Sequence, residues 1–179
     1  MEEIGGQRLI RRVIDRLSLL GNDIIVVTSS TDQLPDLGLR RVVDIYPGKG
    51  ALGGIYSGLK ESPSFHSLVV ACDMPFLSVA LLRYLMELSP GFDVVIPRVE
   101  QLVEPLHAIY SKNCLEPIEA MLQKNNLKID GLFDRVKVRY VEEPEIERFD
   151  PQHLSFFNIN SEADLEHARS LLEKERACI

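Results

Sequence analysis

Polar residues and glycines follow apolar runs at three places in the sequence. Residues of these types can bind a base, a phosphate or a metal cation. Gly48, Gly50, Gly53 and Gly54 come just after the run VVDIYP, in which Asp44 ends the apolar stretch. Bare backbone can approach a flat base or a phosphate closely, and a helix N-terminus favours anions. A flexible crossover with a glycine turn explains the same pattern. Asp44 could accept hydrogen bonds from a base or a ribose, or it could cap the loop.

Asp73 ends SLVVACD, the most apolar strand-like run of the chain, and stands directly before Met74 and Pro75. A carboxylate fixed at that point is a natural ligand for Mg²⁺, which proteins bind through one or two carboxylates together with substrate phosphates. The alternative is an aspartate that only caps the turn before a helix predicted from Ser78. Cys72 is interpreted as a buried small residue rather than a nucleophile, because no histidine is adjacent to activate it.

Asn158 and Asn160 stand at the end of the third run, FFNIN. Alternate residues of a strand point to opposite faces, so one of them could reach a cation or a phosphate while the other secures the turn. His107, in EPLHAIY, is interpreted as a structural histidine rather than a catalytic one. The acidic run VEEPEIER, at residues 141–148, is predicted to be a solvated loop.

The residues named above must be positioned by strands and helices, and the sequence shows short apolar runs that alternate with helical patterns. DIIVV, SLVVAC and DVVIP lack polar alternation, which is typical of strands covered on both faces. Apolar spacing and end signals predict helices at about 7–20, 53–62, 78–88, 112–124 and 161–175. LHAIYS and VKVRYVE alternate and are predicted to form an antiparallel edge. The predicted fold class is α/β, with a mostly parallel sheet between two layers of helices, in a single domain over residues 1–179.

The composition excludes several functions. The net charge is −7 over 179 residues, and binding to nucleic acid needs a basic face, so no nucleic-acid partner is expected. No apolar run approaches the ~20 residues of a membrane span, and the acidic start does not resemble a secretory signal. We expect a cytoplasmic protein with no membrane partner. Cys72, Cys114 and Cys178 form an odd set without CxxC spacing and are expected to be reduced thiols.

Four motifs in this order resemble those of one known family. PGKGALGGIYSGL, VVACDMPFL, EPLHAIYS and FNINSEADL are together similar to the molybdenum cofactor guanylyltransferases, the molybdopterin-guanine dinucleotide biosynthesis protein A type. That family belongs to a broader group of nucleotidyltransferases with a Rossmann-like sheet. Its members transfer GMP from GTP to the terminal phosphate of molybdopterin and release pyrophosphate. The resemblance spans about residues 5–165, and only the combination of motifs is specific.

The resemblance implies roles for individual residues. The guanine nucleotide would be surrounded by Asp44 and by the loop residues Gly50, Leu52, Gly53 and Gly54. Asp73 would be the catalytic residue that binds Mg²⁺ beside the α-phosphate. Asn158 and Asn160 would lie on the molybdopterin side. GTP and molybdopterin are therefore the expected partners and Mg²⁺ the expected cofactor.

The sequence departs from the family at two points. Ala51 stands where a proline is usual, and the residues EIGGQRL match a part of the family that follows a strand and a glycine-rich loop of the form LxGGxSxRMGxxK. We expect that strand and loop to be missing from residues 1–179, and guanylyl transfer to require them. Two alternatives remain open at this point: a molybdopterin cytidylyltransferase, and a non-catalytic nucleotide-binding relative.

Overall fold

The computed structural model describes residues 3, 4, 6–29 and 36–177, with side chains described through residue 173, so Cys178 lies outside the described residues. Its strands are β1 (Glu3–Ile4), β2 (Gln7–Arg8), β3 (Ile25–Thr28), β4 (Arg40–Val43), β5 (His66–Val70), β6 (Val94–Val99), β7 (Leu102–Val103), β8 (His107–Ser111) and β9 (Val138–Glu142). Its helices are α1 (Leu9–Leu17), α2 (Gly50–Glu61), α3 (Val79–Leu88), α4 (Leu115–Gln123), α5 (Asp130–Phe133), α6 (Glu143–Ile146) and α7 (Glu162–Ala177).

Five strands form the main sheet, in the order β5-β8-β6-β7, with β9 also paired to β6. β8 is antiparallel to both of its neighbours, β5 and β6, whereas β9 is parallel to β6. The α/β class is confirmed. Among the described residues the main sheet is mostly antiparallel rather than mostly parallel, because β8, from LHAIYS, lies inside the sheet instead of at its edge, while VKVRYVE supplies the parallel strand β9. Alternation in a sequence reports how a strand is covered and does not specify which strand pairs with it.

Helices cover both faces of this sheet because alternate residues of β6 and β8 point to opposite sides. Val94 and Ile96 pack in a cluster with α2 and α4, and Val95, between them, packs in a second cluster with α3. All three side chains are fully buried. A third cluster joins Ile4 of β1 to α7. The predicted three layers are therefore present.

β3 and β4 form a separate parallel pair beside the main sheet. In the part of the chain that the structure describes, β3 pairs only with β4, and β5 pairs only with β8. Every residue of β3 and of β5 is half-buried, although their apolar sequences predict strands covered on both faces. The two strands line opposite parts of one groove of about 720 Å³.

The helices begin and end close to their predicted positions, with two differences. α2 begins at Gly50, three residues earlier than predicted, so Gly53 and Gly54 lie within the helix rather than at its start. The acidic run at 141–148 is not a solvated loop. Val141 belongs to β9 and its side chain is buried in the core. Residues Glu143–Ile146 form α6, and the side chain of Ile146 is fully buried. Within the described residues, no helix combines the length and the apolar character that crossing a membrane requires.

Candidate functional site

Asp73 lies three residues after the end of β5, at the carboxyl end of that strand. The four residues that follow it, Met74 to Leu77, are buried and anchor the turn. Oδ1 of Asp73 is buried and has no hydrogen-bond partner among the described residues. A buried carboxylate oxygen without a donor is costly unless a cation or a ligand satisfies it. The structure thus leaves this oxygen open to a ligand.

The segment that carries Asn158 and Asn160 is held against Asp73 by its backbone. The amide of Ile159, between the two asparagines, donates to the carbonyl oxygen of Asp73 at 3.1 Å. This segment follows a short 3-10 helix, Leu154–Phe156, and belongs to no sheet, so the predicted strand is absent there. Asn158 is half-buried and Asn160 is exposed. The structure therefore brings the second and third sequence motifs together.

Two buried polar residues, Asp150 and Ser155, and the half-buried Ser78 support this junction, and the two buried ones carried no signal in the sequence. Asp150 accepts the amides of Leu154 at 3.1 Å and of Ser155 at 2.8 Å. Ser155, fully buried, accepts the amide of Ser78 at 2.8 Å. Ser78 is also the predicted N-cap of α3 and accepts the amide of Leu81. Ser155 bonds to a residue 77 positions away, which local patterns do not reveal, and Asp150 holds Ser155 in place through local bonds.

His107 is fully buried, and neither ring nitrogen has a hydrogen-bond partner among the described residues. Its ring packs edge to face against Phe156 at 4.9 Å between centroids, just ahead of Asn158. Burial lowers the pKa of His107 to about 3, so the ring is neutral across the physiological range. The sequence predicts a structural histidine whose ring is satisfied by hydrogen bonds; the ring is buried, but that satisfaction is not found among the described residues.

Asp44 closes the loop between β4 and α2. Its Oδ1 accepts the amide of Tyr46 at 3.0 Å and the hydroxyl of Ser57 at 2.8 Å. Ser57, fully buried in α2, also accepts the amide of Ile45 at 2.9 Å. The sequence allowed two roles for Asp44, binding a base or ribose and capping the loop. The hydrogen bonds of Asp44 in the structure are those of a loop cap.

The glycines and Leu52 of α2 have different surroundings. A Cβ on Gly53 would stand 2.8 Å from the carbonyl oxygen of Tyr46, whereas a Cβ on Gly54 would meet nothing within 4 Å. Gly50 has a positive φ of 60° and is exposed, and Leu52 is buried in the core. Gly53 is therefore required for packing, and Gly54 leaves open space on the groove side.

Two tyrosines tie this loop to α4. The hydroxyls of Tyr46 and Tyr56 donate to Oε1 of Glu119 at 3.1 and 2.8 Å, and their rings meet edge to face at 5.2 Å. Burial and the bond to Glu119 raise the pKa of Tyr56 to about 12, so its hydroxyl stays a donor. Glu119 lies 73 residues from Tyr46 and 63 from Tyr56, and this group was not found by sequence reasoning.

The groove connects parts of the predicted site. Gly54 of α2 and Asp73 both line it, whereas Asp44, Leu52, Asn158 and Asn160 do not. A group of three potential metal ligands lies elsewhere among the described residues: Glu143, Glu147 and His153, with ligand atoms within 4.8 Å of one another. Asp73 is not part of it.

Cys72 is exposed, contrary to the expected burial, and Cys72 and Cys114 are free thiols.

Comparison with known proteins identifies the family. The model of the MobA-like NTP transferase domain matches residues 1–136, which is more than half of the chain. The chain belongs to the MobA-like NTP transferase family. The matched region of this MobA-like chain holds Asp44, the glycines of α2, Asp73 and His107, and it ends before Asn158.

Relatives of this MobA-like chain carry consistent names. A probable molybdenum cofactor guanylyltransferase of Pelotomaculum thermopropionicum is 38% identical over 174 residues, covering 97% of this chain and 85% of the relative. A molybdenum cofactor guanylyltransferase of Desulfosudis oleivorans is 32% identical over 176 residues, covering 97% and 86%. The solved structure of molybdopterin-guanine dinucleotide biosynthesis protein A from Archaeoglobus fulgidus has a TM-score of 0.84 at 27% identity, covering 97% of this chain and 89% of that one.

Proposed function

We propose that this protein transfers GMP from GTP to molybdopterin. An oxygen of the molybdopterin phosphate would attack the α-phosphorus of GTP, and the bond to the β-phosphate oxygen would break, so that pyrophosphate leaves with the electron pair. The relatives named guanylyltransferases, similar along nearly the whole chain, carry this proposal and favour GTP over CTP.

Asp73 is the residue proposed to hold the metal. Its buried, unpartnered Oδ1 fits a hard cation. A carboxylate about 4 Å from a phosphate charge would cost roughly 4 kcal/mol at an effective dielectric near 20, so Asp73 would oppose GTP without a cation between them. Mg²⁺ would supply charge stabilisation for the phosphates and for the leaving pyrophosphate. The role of Asp73 is then to fix that charge at the carboxyl end of β5.

The guanine nucleotide is proposed to lie against the loop and first turns of α2, near Asp44, Gly50, Leu52, Gly53 and Gly54. The internal bonds of Asp44 and the burial of Leu52 support a role in shaping the loop, with the backbone as the surface that meets the base. Gly54 supports the proposal because its open side faces the same groove as Asp73. Asn158 and Asn160 are proposed to face molybdopterin, because their segment is bonded to Asp73.

Calorimetric titration with nucleotides tests the metal and base assignments. We expect GTP to bind more tightly than ATP or CTP, and Mg²⁺ to strengthen GTP binding. Asp73→Asn removes one ligand charge and should abolish that Mg²⁺ effect. Asp134→Asn makes the same charge change at an exposed residue and is the control. An unchanged Mg²⁺ effect in Asp73→Asn would show that the metal binds elsewhere, and equal binding of CTP would favour cytidylyl transfer.

Pyrophosphate release from GTP, with molybdopterin and Mg²⁺ present, tests the transfer itself. The assay compares the unchanged protein with Asp73→Asn. We expect turnover in the unchanged protein and little in the variant, because phosphoryl transfer depends on positioned charges that stabilise the developing charge. Unchanged protein that binds GTP and molybdopterin without turnover would support the non-catalytic alternative.

A further inference from the structure

α6 and the turn that follows it lie at the same edge of the main sheet as Asp73. β5 and β6 are both antiparallel to β8, and β9 is parallel to β6, so β5, β6 and β9 run in the same direction. Asp73 follows β5, and α6 begins directly after β9. The carboxyl ends of these strands therefore share one edge, and α6 brings a second group of ligand-type side chains to it.

This group consists of Glu143, Glu147 and His153, each with one ligand atom within 4.8 Å of those of the other two. The two glutamates are one helical turn apart, and the amide of Glu147 donates to the carbonyl oxygen of Glu143 at 2.9 Å, so both side chains project from the same face. The chain then turns back. The amide of Asp150 donates to the carbonyl oxygen of Ile146 at 2.9 Å, and the amide of His153 donates to that of Asp150 at 3.0 Å. The turn brings the imidazole to the two carboxylates.

Neighbouring acidic residues have protein partners, whereas the two glutamates of this group do not. Glu142 is paired with Arg98, and Glu145 is paired with Arg139. Arg148, the cation adjacent to the group in sequence, packs over aromatic rings. Within the described ranges, no hydrogen bond or ion pair engages either carboxylate of the group. Two carboxylates are therefore held together with no protein cation to offset their charge.

The histidine of the group also lacks a partner. Nε2 of His153 is shielded from solvent and makes no hydrogen bond with any described residue. The ring packs against Phe156, with 6.3 Å between the ring centroids, and this neighbour offers no hydrogen-bond donor or acceptor. A buried imidazole nitrogen is costly unless a donor, an acceptor or a metal ion satisfies it. All three side chains are thus free to bind an ion.

We propose that Glu143, Glu147 and His153 bind one Zn²⁺ ion, at a site separate from Asp73. Imidazole is a ligand for transition metals, whereas Mg²⁺ prefers oxygen, and two carboxylates balance the charge of a divalent ion. Zinc stands about 2.0–2.2 Å from nitrogen and oxygen ligands, so two ligand atoms of one ion lie at most about 4.4 Å apart. Rotation of the glutamate side chains closes the small difference from 4.8 Å.

The ion would join α6 to the turn that supports the Asp73 edge. Asp150, in this turn, accepts the amide of Ser155, and Ser155 accepts the amide of Ser78 at the start of α3. The ion would therefore stabilise the junction from which the segment of Asn158 extends. The proposal goes beyond the proposed function and does not depend on it, because its tests contain no nucleotide.

Calorimetric titration of the metal-free protein with Zn²⁺, in excess Mg²⁺, tests the site. We expect one Zn²⁺ per chain. His153→Asn removes the imidazole, and asparagine tolerates the positive φ of 54° at this position. We expect this variant to bind Zn²⁺ at least about tenfold more weakly, because it loses a direct ligand. His167→Asn removes an exposed imidazole elsewhere and is the matched control.

Glu147→Gln tests the site independently, because its side chain is exposed and the fold does not depend on it. We expect weaker Zn²⁺ binding than in the control Glu87→Gln, which makes the same change at another exposed position. Zn²⁺ should also raise the melting temperature of the unchanged protein more than that of Glu147→Gln, since an ion that binds only the folded state stabilises it.

Nuclear magnetic resonance of the imidazole nitrogens identifies the ligand directly. Of the four histidines of the chain, His153 should shift when Zn²⁺ is added, and the other three should not. A shift at another histidine in its place would overturn the proposal. So would equal Zn²⁺ affinity in His153→Asn and His167→Asn, or the absence of Zn²⁺ binding while Mg²⁺ is present, which would indicate a site made of oxygen ligands alone.

Discussion

At the scale of single residues, Ser57 shows how one buried hydroxyl fixes the loop after β4. It donates to Asp44 Oδ1 at 2.8 Å and accepts the amide of Ile45 at 2.9 Å. Ser57→Ala leaves both groups without this partner, and we expect a loss of about 1–3 kcal/mol in the free energy of unfolding. Urea denaturation measures the loss. Ser64→Ala, at an exposed site, is the control, and a Ser57→Ala loss no greater than that of the control would contradict this role.

Glu145 is a residue whose effect on stability depends on pH. It accepts bonds from Tyr84 at 2.7 Å and from Arg139 at 2.6 Å. Burial alone would raise its pKa, but these bonds and the amide of Glu142 outweigh burial and hold the pKa below its ordinary value of 4.5. Because the pKa of the folded state is lowered, the carboxylate stabilises the fold above pH 4.5, and this contribution is lost as the pH falls through the folded-state pKa.

We therefore expect Glu145→Gln to be less stable than the unchanged protein at pH 7, with a difference that shrinks as the pH is lowered below about 4.5. Urea unfolding at several pH values gives both stabilities. Glu116→Gln, at an exposed position, serves as the matched control. A difference between Glu145→Gln and the unchanged protein that stays constant from pH 7 to pH 3 would show that the bonds of Glu145 do not depend on its charge.

At the scale of elements, two neighbouring glycines of α2 should respond in opposite ways to alanine. Gly53→Ala places a methyl group 2.8 Å from the carbonyl oxygen of Tyr46, so the loop must shift and the protein should lose stability. Gly54→Ala meets open space and should gain about 0.5–1 kcal/mol from the lower backbone entropy of the unfolded chain. Thermal unfolding of both variants checks the signs. A gain in both would mean that the loop adapts to Gly53→Ala without cost.

The elements that the sequence predicted are those specified by local signals. The start of α7 is an example, since the amide of Asp164 donates to the hydroxyl oxygen of Ser161, and the carboxylate of Asp164 accepts the amide of Ser161. The position of β8 could not be predicted, because its pairing with β5 and β6 depends on contacts between distant segments. The same holds for Glu119, whose bond to Tyr46 spans 73 residues. In the site, the sequence offered a loop cap as one role of Asp44 but could not identify Ser57 as its partner, because that bond arises only when α2 packs on the loop.

At the scale of the whole molecule, stability should be distributed unevenly across the sheets. β6 and β8 lie between two buried clusters, and residues such as Val95 and Tyr110 are fully buried. β3 and β4 form a two-stranded pair in which only Val42 is buried, and isolated pairs of strands are marginally stable. Opening the β3–β4 pair should therefore require less free energy than unfolding the main sheet.

We expect amides of β3 and β4 to exchange at least about tenfold faster than those of β6 and β8 in the 179-residue chain. Exchange in low concentrations of urea distinguishes the two processes: local opening depends weakly on urea, whereas global unfolding exposes much surface and depends on it strongly. We expect the weak dependence at β3 and β4 and the strong one at β6 and β8. A single rate and a single urea dependence for all four strands would mean that both sheets unfold as one unit, held together by α1 and α2 across the groove.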